Sequence, residues 1–161
     1  MSRPGTLRCR MSIPFLLLLF LSSFTSPVTV YGDSCVAVVH TLNAKLSQKI
    51  DEQELVDIMD SLNSTMNRKL PAKFITKHDA RLRGWRPSSD LWLADHLRGH
   101  SIGGDRFRNL EHKLRHKKWR EADLDYRGGH RGSKRLIYSS DGERFITVDH
   151  YKTFTEVPAC R

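Results

Sequence analysis

The spacing of apolar positions changes along the chain from a helical to a strand-like period. Between residues 51 and 68, apolar side chains recur every three or four positions, at Leu55, Ile58, Met59, Leu62 and Met66. This spacing predicts an amphipathic helix over 51–68 with its apolar face in the core. Residues 35–49 are compatible either with an extension of that helix or with a separate one.

Capping signals predict two shorter helices downstream. Thr76 and Asp79 have the spacing of a capping box and Gly84 is a stop signal, which predicts a helix over 76–83. Either Ser89 or Asp90 can cap a third, short helix that ends before Gly99.

After residue 100 the pattern is typical of short strands separated by turns. The clearest turn signals are Gly128-Gly129 and Asp141-Gly142. The predicted strands are 101–106, 118–124, 134–139, 143–148 and 153–157. Helices first and strands later indicate an α+β fold, with N-terminal helices packed on one face of a five-stranded antiparallel sheet.

Strand periodicity sorts the side chains of the segment 119–124 onto two faces. Ala122 and Leu124 share one face, while Glu121 and Asp123 share the other. Two acids on one face of a basic chain are a candidate functional pair. A solvated surface strand would show the same alternation, so the pattern alone does not decide between the two.

The first 32 residues have the layout of a secretory signal peptide. Three arginines precede the apolar run Ile13 to Leu21, which only Pro14 interrupts, and Val30-Tyr31-Gly32 offers a cleavage region. A membrane anchor is the alternative, but the run is too short to span a bilayer. We therefore expect a signal peptide at 1–32, an N-terminal extension at 33–50, a domain at 51–161, and secretion.

Charge points to an anionic partner without identifying it. The formal net charge is +9, of which three charges belong to the arginines of the signal segment. Nucleic acid, a membrane surface and a heparin-like polymer all remain compatible with this balance. No strongly basic amphipathic helix follows the signal segment, so we expect no membrane partner for the mature chain.

Cysteine usage agrees with secretion. Cys35 and Cys160 lie near the two ends of the mature chain and predict one disulfide in an oxidising compartment. Two free thiols, or a bond to another chain, are the alternatives. Asn63-Ser64-Thr65 is a sequon for N-glycosylation.

Several segments resemble the barnase-like family of guanyl-preferring microbial ribonucleases, in order and at nearly its spacing. They are Lys69-Leu70-Pro71, Ile75-Thr76-Lys77, Ser101-Ile102-Gly103-Gly104-Asp105, Trp119 to Asp123, Arg131 with Arg135, Tyr138 to Asp141, and Asp149 to Thr155. The resemblance covers about 69–157 well and 51–68 loosely. It implies a metal-free endoribonuclease that acts on single-stranded RNA without a cofactor.

The resemblance implies a role for each catalytic position. RNA cleavage of this type needs a base for the ribose 2′-OH, an acid for the departing O5′ and cations for the developing charge. Glu121 matches the base and His150 the acid. The phosphate clamp matches Lys77, Arg131 and Arg135, with Asp123 holding the two arginines, and Tyr151 lines the nucleotide pocket.

The resemblance also implies a guanine-binding loop at 107–111. Glu111 is in register to accept hydrogen bonds from the N1 and N2 edge of guanine, and Asn109 matches the residue that shapes the loop. Phe107 is a further candidate substrate-binding residue. Leu110 replaces a family arginine, and Arg108 replaces a small polar residue.

Expected partners follow from the same family. They are single-stranded RNA and an acidic protein inhibitor, with the chain itself a monomer. His112 and His116 have metal-pair spacing, but their Lys-rich surroundings argue against a metal site. Two alternative functions stay open: a secreted RNA-binding pseudoenzyme and a cationic antimicrobial protein.

Overall fold

The computed structural model describes Met1, residues 33–94 and residues 96–161. The predicted signal peptide therefore lies outside the described residues, apart from Met1. The helices are α1 (Cys35–Lys45), α2 (Glu52–Ser64) and α3 (Lys77–Leu82), and a single 3₁₀ turn covers Leu91–Leu93.

Local hydrogen bonds explain where α1 and α2 begin and end. The two helices are separate, and the side-chain amide of Asn43 bonds both backbone groups of Ile50 across the connection, at 2.9 and 3.2 Å. Asp51 caps α2 by accepting from the Glu54 N–H at 3.0 Å. The helix ends at Ser64, earlier than the predicted 68, because Met66 and Asn67 adopt positive φ values of 51° and 59°.

The strands form one sheet whose spatial order follows the chain order. They are β1 (Phe74–Ile75), β2 (Ser101–Phe107), β3 (Trp119–Asp123), β4 (Arg135–Ser139), β5 (Arg144–Thr147) and β6 (Thr155–Glu156). Strands β2 to β6 are antiparallel, so the predicted α+β class is confirmed. The strand count was wrong, because β1 adds a sixth strand parallel to β2. Because β1 has only two residues, its sequence shows no strand alternation. It is a strand only because it pairs with β2 in the folded protein.

The helices cover one face of the sheet and build the larger core. Val39 and Leu42 of α1 pack in the same cluster as Leu55 and Met59 of α2 and Leu136 of β4. The segment 33–50 thus contributes to the core that also holds the sheet. A second cluster joins α3 and the 3₁₀ turn to β2.

A disulfide closes the chain between α1 and the C-terminal segment. Cys35 and Cys160 are bonded, with Cα atoms 4.8 Å apart, which confirms the predicted pair. Beside it, the Asn63 amide donates to the Cys160 carbonyl at 3.0 Å, and its oxygen accepts from Arg144 at 2.9 Å. A glycan on Asn63 would have to share the amide nitrogen with this contact.

Removing the disulfide should destabilise the protein strongly. The bond spans 125 residues of sequence, and closing so long a loop raises the free energy of the unfolded chain by about 5 kcal/mol. We expect the double variant C35S/C160S to lose that free energy of unfolding in urea titrations. Wild-type protein unfolded in excess dithiothreitol should match the variant. A loss below about 1 kcal/mol would contradict the expectation.

Candidate active site

Two cavities contain nearly all the residues that the sequence analysis singled out. The larger one, the Glu121 cavity, measures about 670 Å³, and its lining includes Lys77, Phe107, Asn109, Glu111, Glu121 and Tyr151. The smaller one, the His150 cavity, measures about 270 Å³ and is lined by Ser88, Ser89, His130, Arg131, Arg135 and His150. The two cavities are linked along the chain, because His150 lines the smaller one and the next residue, Tyr151, lines the larger one.

Glu121 is a buried carboxylate at the wall of its cavity, held by two donors. It lies on β3 and is 6% exposed. The Lys77 ammonium donates to Oε1 at 2.7 Å, and the Tyr151 hydroxyl donates to Oε2 at 2.8 Å. Burial, and then the adjacent charge of Glu121, raise the pKa of the Tyr151 hydroxyl, which therefore stays a donor at neutral pH.

Lys77 reaches Glu121 because the start of α3 is tied to β2. Its backbone N–H donates to the Asp105 carboxylate at 2.9 Å. Asp105 follows a bulge in β2 between Gly103 and Asp105, where Gly104 has a φ of 91°. Glycine adopts this left-handed conformation without strain, so the bulge directs the Asp105 side chain toward α3.

Asp123 is a nearly fully buried acid that contacts both arginines of the His150 cavity. It is 2% exposed. Arg131 binds it with two nitrogens, one of them at 2.6 Å, and Arg135 forms an ion pair with it at 2.8 Å. Burial alone would lower the pKa of Arg131, but the hydrogen bonds and charge of Asp123 outweigh burial and raise it. The Arg131 guanidinium therefore stays charged, and Asp123 holds both guanidinium groups at the cavity wall.

His150 is exposed on a strained loop that follows β5. His150 and Tyr151 both have left-handed backbone conformations, with φ values of 59° and 67°. For residues other than glycine this costs about 1–3 kcal/mol each. Hydrogen bonds of the loop offset that cost, and one of them runs from the His150 N–H to the Ser133 carbonyl at 3.2 Å.

Asp149 organises the same loop. Its Oδ1 accepts from the backbone N–H groups of Lys152 and Thr153 at 3.1 and 3.0 Å, and from the Thr147 hydroxyl at 2.9 Å. The Thr147 hydroxyl in turn accepts from the Tyr151 N–H at 2.9 Å. The hydrogen bond from the Thr153 side chain is the largest cause that lowers the pKa of Asp149, to about 2. The loop is therefore fully bonded at neutral pH, and His150 projects from a fixed backbone.

The segment after β2 is a loop closed by Asn109. The side-chain amide of Asn109 bonds both the carbonyl and the N–H of Leu114, at 2.7 and 3.1 Å. Asn109 has a φ of 47°, a conformation that asparagine tolerates better than most residues. This bonding leaves Glu111 exposed at the tip of the loop, paired with Lys113 at 2.5 Å.

Two contacts link this loop to Tyr151. The Phe107 ring stacks on the Tyr151 ring with centroids 5.2 Å apart and planes 23° apart. The Lys113 ammonium, which also holds Glu111, donates to the Tyr151 carbonyl at 3.0 Å. The lining of the Glu121 cavity therefore combines the stacked rings of Phe107 and Tyr151 with the carboxylate of Glu111.

Sequence reasoning missed several residues of the two cavities. Asp105 and Asp149 were part of family-like segments but had no role assigned, and Lys113 had none either. His130, which the sequence analysis did not single out, lines the His150 cavity together with two serines. Nothing in the local pattern distinguishes these residues, because their contacts are with distant parts of the chain.

The described residues contain neither a metal-type cluster of side chains nor a helix that could cross a membrane. No group of three or more His, Cys, Asp or Glu side chains in residues 33–94 and 96–161 is arranged to hold a metal ion. In the same part of the chain, every helix is too short or too polar to cross a membrane.

The chain is similar in sequence to known ribonucleases. A family model described as ribonuclease matches residues 59–158. A ribonuclease of Bacillus pumilus is 35% identical over 139 residues, covering 81% of this chain and 85% of the relative. One from Bacillus intermedius is 37% identical over 75% of this chain and 77% of its own, and one from Heyndrickxia coagulans is 44% identical over 56% and 84%.

Proposed function

Because this chain belongs to the barnase-like family of microbial ribonucleases, we propose that it is a secreted endoribonuclease that cleaves single-stranded RNA after guanosine. The observation that carries the proposal is the set of acidic and basic side chains that line the Glu121 cavity and the His150 cavity. Glu121 with Lys77 lines one cavity, and His150 with two arginines held by Asp123 lines another. Tyr151, the next residue after His150, lines the first cavity and donates to Glu121. A candidate base, a candidate acid and three cations are thus distributed over two cavities that are linked by consecutive residues.

In the proposed first step, the Glu121 carboxylate takes the proton of the ribose 2′-OH. The 2′-oxygen attacks phosphorus, the bond from phosphorus to O5′ breaks, and the His150 imidazolium gives its proton to O5′. The product is a 2′,3′-cyclic phosphate. Water then opens the ring with the two roles reversed, which returns both groups to their starting protonation.

The cations of the site match the charge that this reaction develops. Lys77, Arg131 and Arg135 supply positive charge without a metal ion, and the contacts with Asp123 orient both guanidinium groups before substrate arrives. Because the two guanidinium groups are already oriented, they need not rearrange while negative charge develops on the phosphate.

Guanine recognition is proposed for the Glu121 cavity. A carboxylate can accept from both N1–H and N2–H of guanine, which adenine cannot offer in the same pattern. Glu111 is 71% exposed, and among the described residues its carboxylate is paired with Lys113 alone, so it is available to such a base. Phe107 and Tyr151 supply aromatic surface for stacking. The leaving nucleoside then belongs in the His150 cavity, beside the acid.

Secretion is supported by the disulfide, since such bonds persist in oxidising compartments. The cations of the two cavities are complementary in charge to an acidic protein inhibitor, which would bind over them. Exposed Leu110, where the family has an arginine, removes one such charge.

The proposed activity is tested with the protein expected after signal cleavage and four dinucleotides NpA in which N varies. We expect cleavage of GpA in the presence of EDTA, with a cyclic phosphate end identified by mass spectrometry. Inhibition by EDTA, or equal cleavage of DNA, would overturn the mechanism. Salt-sensitive RNA binding without any product would indicate the pseudoenzyme instead.

Replacing Glu111 by glutamine should weaken the choice of guanine rather than the chemistry. The amide presents an NH₂ group where guanine needs an acceptor, so one bidentate contact is lost. We expect the ratio of kcat/KM for GpA to that for ApA to fall about 5- to 150-fold, which corresponds to about 1–3 kcal/mol. The control is Glu156→Gln, an exposed acid on β6. An unchanged ratio would remove Glu111 from base recognition.

A further inference from the structure

A third cavity, the Arg120 cavity, lies beside the proposed active site and has no role in the mechanism above. It measures about 440 Å³. Its charged and titratable lining is almost entirely basic, with a single acid, Asp79. The basic residues are Arg68, Lys69, Arg83, His100 and Arg120.

The cations of this cavity have no counter-ion among the residues that the structure describes. Within the described part of the chain, no carboxylate pairs with Arg68, Lys69, Arg83 or Arg120. This contrasts with Lys77, Arg131 and Arg135, each of which contacts an acid. The acid of the cavity, Asp79, is engaged as a helix cap with Thr76, at 2.8 and 3.1 Å.

One of these cations is already held in place. The Arg120 guanidinium donates from Nη1 to the Gly104 carbonyl at 2.5 Å, and its other nitrogens have no partner among the described residues. The Nδ1 atom of His100 is buried and likewise lacks a hydrogen-bond partner in that part of the chain. Concave walls with converging charge of one sign concentrate the field and attract anions.

The cavity borders the proposed substrate site. Thr76 and Gly104 line the Arg120 cavity, while the next residue in each case, Lys77 and Asp105, lines the Glu121 cavity. Arg120 and Glu121 are likewise consecutive on β3 and project from opposite faces of the strand. A polyanion that enters one cavity can therefore continue into the other around the start of α3.

We propose that the Arg120 cavity is a second phosphate-binding site, which holds a phosphodiester of the RNA strand outside the cleaved dinucleotide. This inference rests on the proposed function for its ligand. It predicts that the enzyme prefers long RNA over dinucleotides, because only a longer strand reaches both cavities.

Direct binding tests the site without requiring catalysis. The probe is a fluorescein-labelled single-stranded DNA of about twelve nucleotides, which lacks the 2′-OH and cannot be cleaved by this route. The variant R68A/R83A is compared with R81A/R98A, which removes two exposed arginines outside the cavity. We expect Kd from fluorescence anisotropy to rise about two- to fivefold for each arginine of the cavity. The slope of log Kd against log salt should fall by about 0.7 for each lost contact.

Cleavage provides the second measurement. In R68A/R83A, the ratio of kcat/KM for long RNA to kcat/KM for GpA should fall, and in R81A/R98A it should stay at the wild-type value. Equal losses of DNA affinity in the two variants would show a general charge effect and overturn the proposal. If the wild-type protein cleaves no RNA, the proposed function fails, whereas the anisotropy comparison still decides whether the cavity binds phosphates.

Discussion

Replacing Glu121 by glutamine, or His150 by alanine, should lower kcat for RNA cleavage by about 10²- to 10⁴-fold. In the proposed mechanism each group moves one proton in the step that breaks the phosphodiester bond. Neither glutamine at 121 nor alanine at 150 can transfer that proton. Glutamine keeps the shape of Glu121 and an oxygen that can accept from Tyr151 or Lys77. The His150 side chain is exposed, so its removal leaves no cavity in the core.

The pH dependence separates a catalytic role from a structural one. A base must be ionised and an acid must be protonated, so kcat/KM of the wild-type enzyme should rise and then fall with pH. The Glu121→Gln variant should lose the acidic limb of this profile, and His150→Ala should lose the basic limb. A purely structural residue would lower the whole curve without removing a limb.

The controls are substitutions of the same type away from the two cavities. Glu156→Gln on β6 and His78→Ala on α3 change exposed side chains that contact neither cavity. Both should keep wild-type activity, and thermal unfolding should show that all four variants are folded. If His150→Ala retains more than about a tenth of wild-type kcat, which is weaker than general acid catalysis, another donor protonates O5′.

Replacing Asp123 by asparagine should destabilise the fold by about 3–5 kcal/mol, the cost of removing one partner from a buried ion pair. Asparagine is nearly isosteric, so the loss arises from charge. Arg131 and Arg135 would face a neutral group in a site where Asp123 is 2% and Arg135 is 3% exposed. The measurement is the free energy of unfolding from urea titrations.

Activity should also fall in this variant, at temperatures where it remains folded. Without the carboxylate, nothing on β3 holds the Arg131 guanidinium at the wall of the His150 cavity. The matched control is Asp60→Asn, an exposed acid on α2, which should change stability by less than about 0.5 kcal/mol. A similarly small change for Asp123→Asn would mean that the negative charge of Asp123 is not needed to hold the two arginines.

The helices and the antiparallel strands were predictable because each is encoded by a local period. Leu55, Ile58, Met59 and Leu62 repeat at helical spacing and are all fully buried. The alternation in β3 likewise separates Glu121 and Asp123 from the core-facing Ala122. The ends of elements were less accurate. The last strand was predicted at 153–157 but covers only Thr155–Glu156, because Asp149 binds the backbone of Lys152 and Thr153 in the preceding loop.

The identity of the candidate site residues came from the order of short motifs, since no local pattern marks Glu121 or His150 individually. Their arrangement could not be obtained in this way. The contact of Lys77 with Glu121 joins residues 44 positions apart, and that of Tyr151 with Glu121 joins residues 30 apart. Such contacts depend on how α3 and the loop after β5 pack on the sheet.

The sequence by itself therefore determined the α+β class, the two longer helices, the antiparallel strands and the disulfide partners, because short-range periodicity and cysteine number are readable along the chain. Only the tertiary structure decided that β1 joins the sheet, that Gly104 turns Asp105 toward α3, and that His150 lies on a left-handed loop. It also decided that Glu121 and His150 line two different cavities rather than one. These features are set by contacts between residues far apart in sequence, whose free energies no local pattern contains.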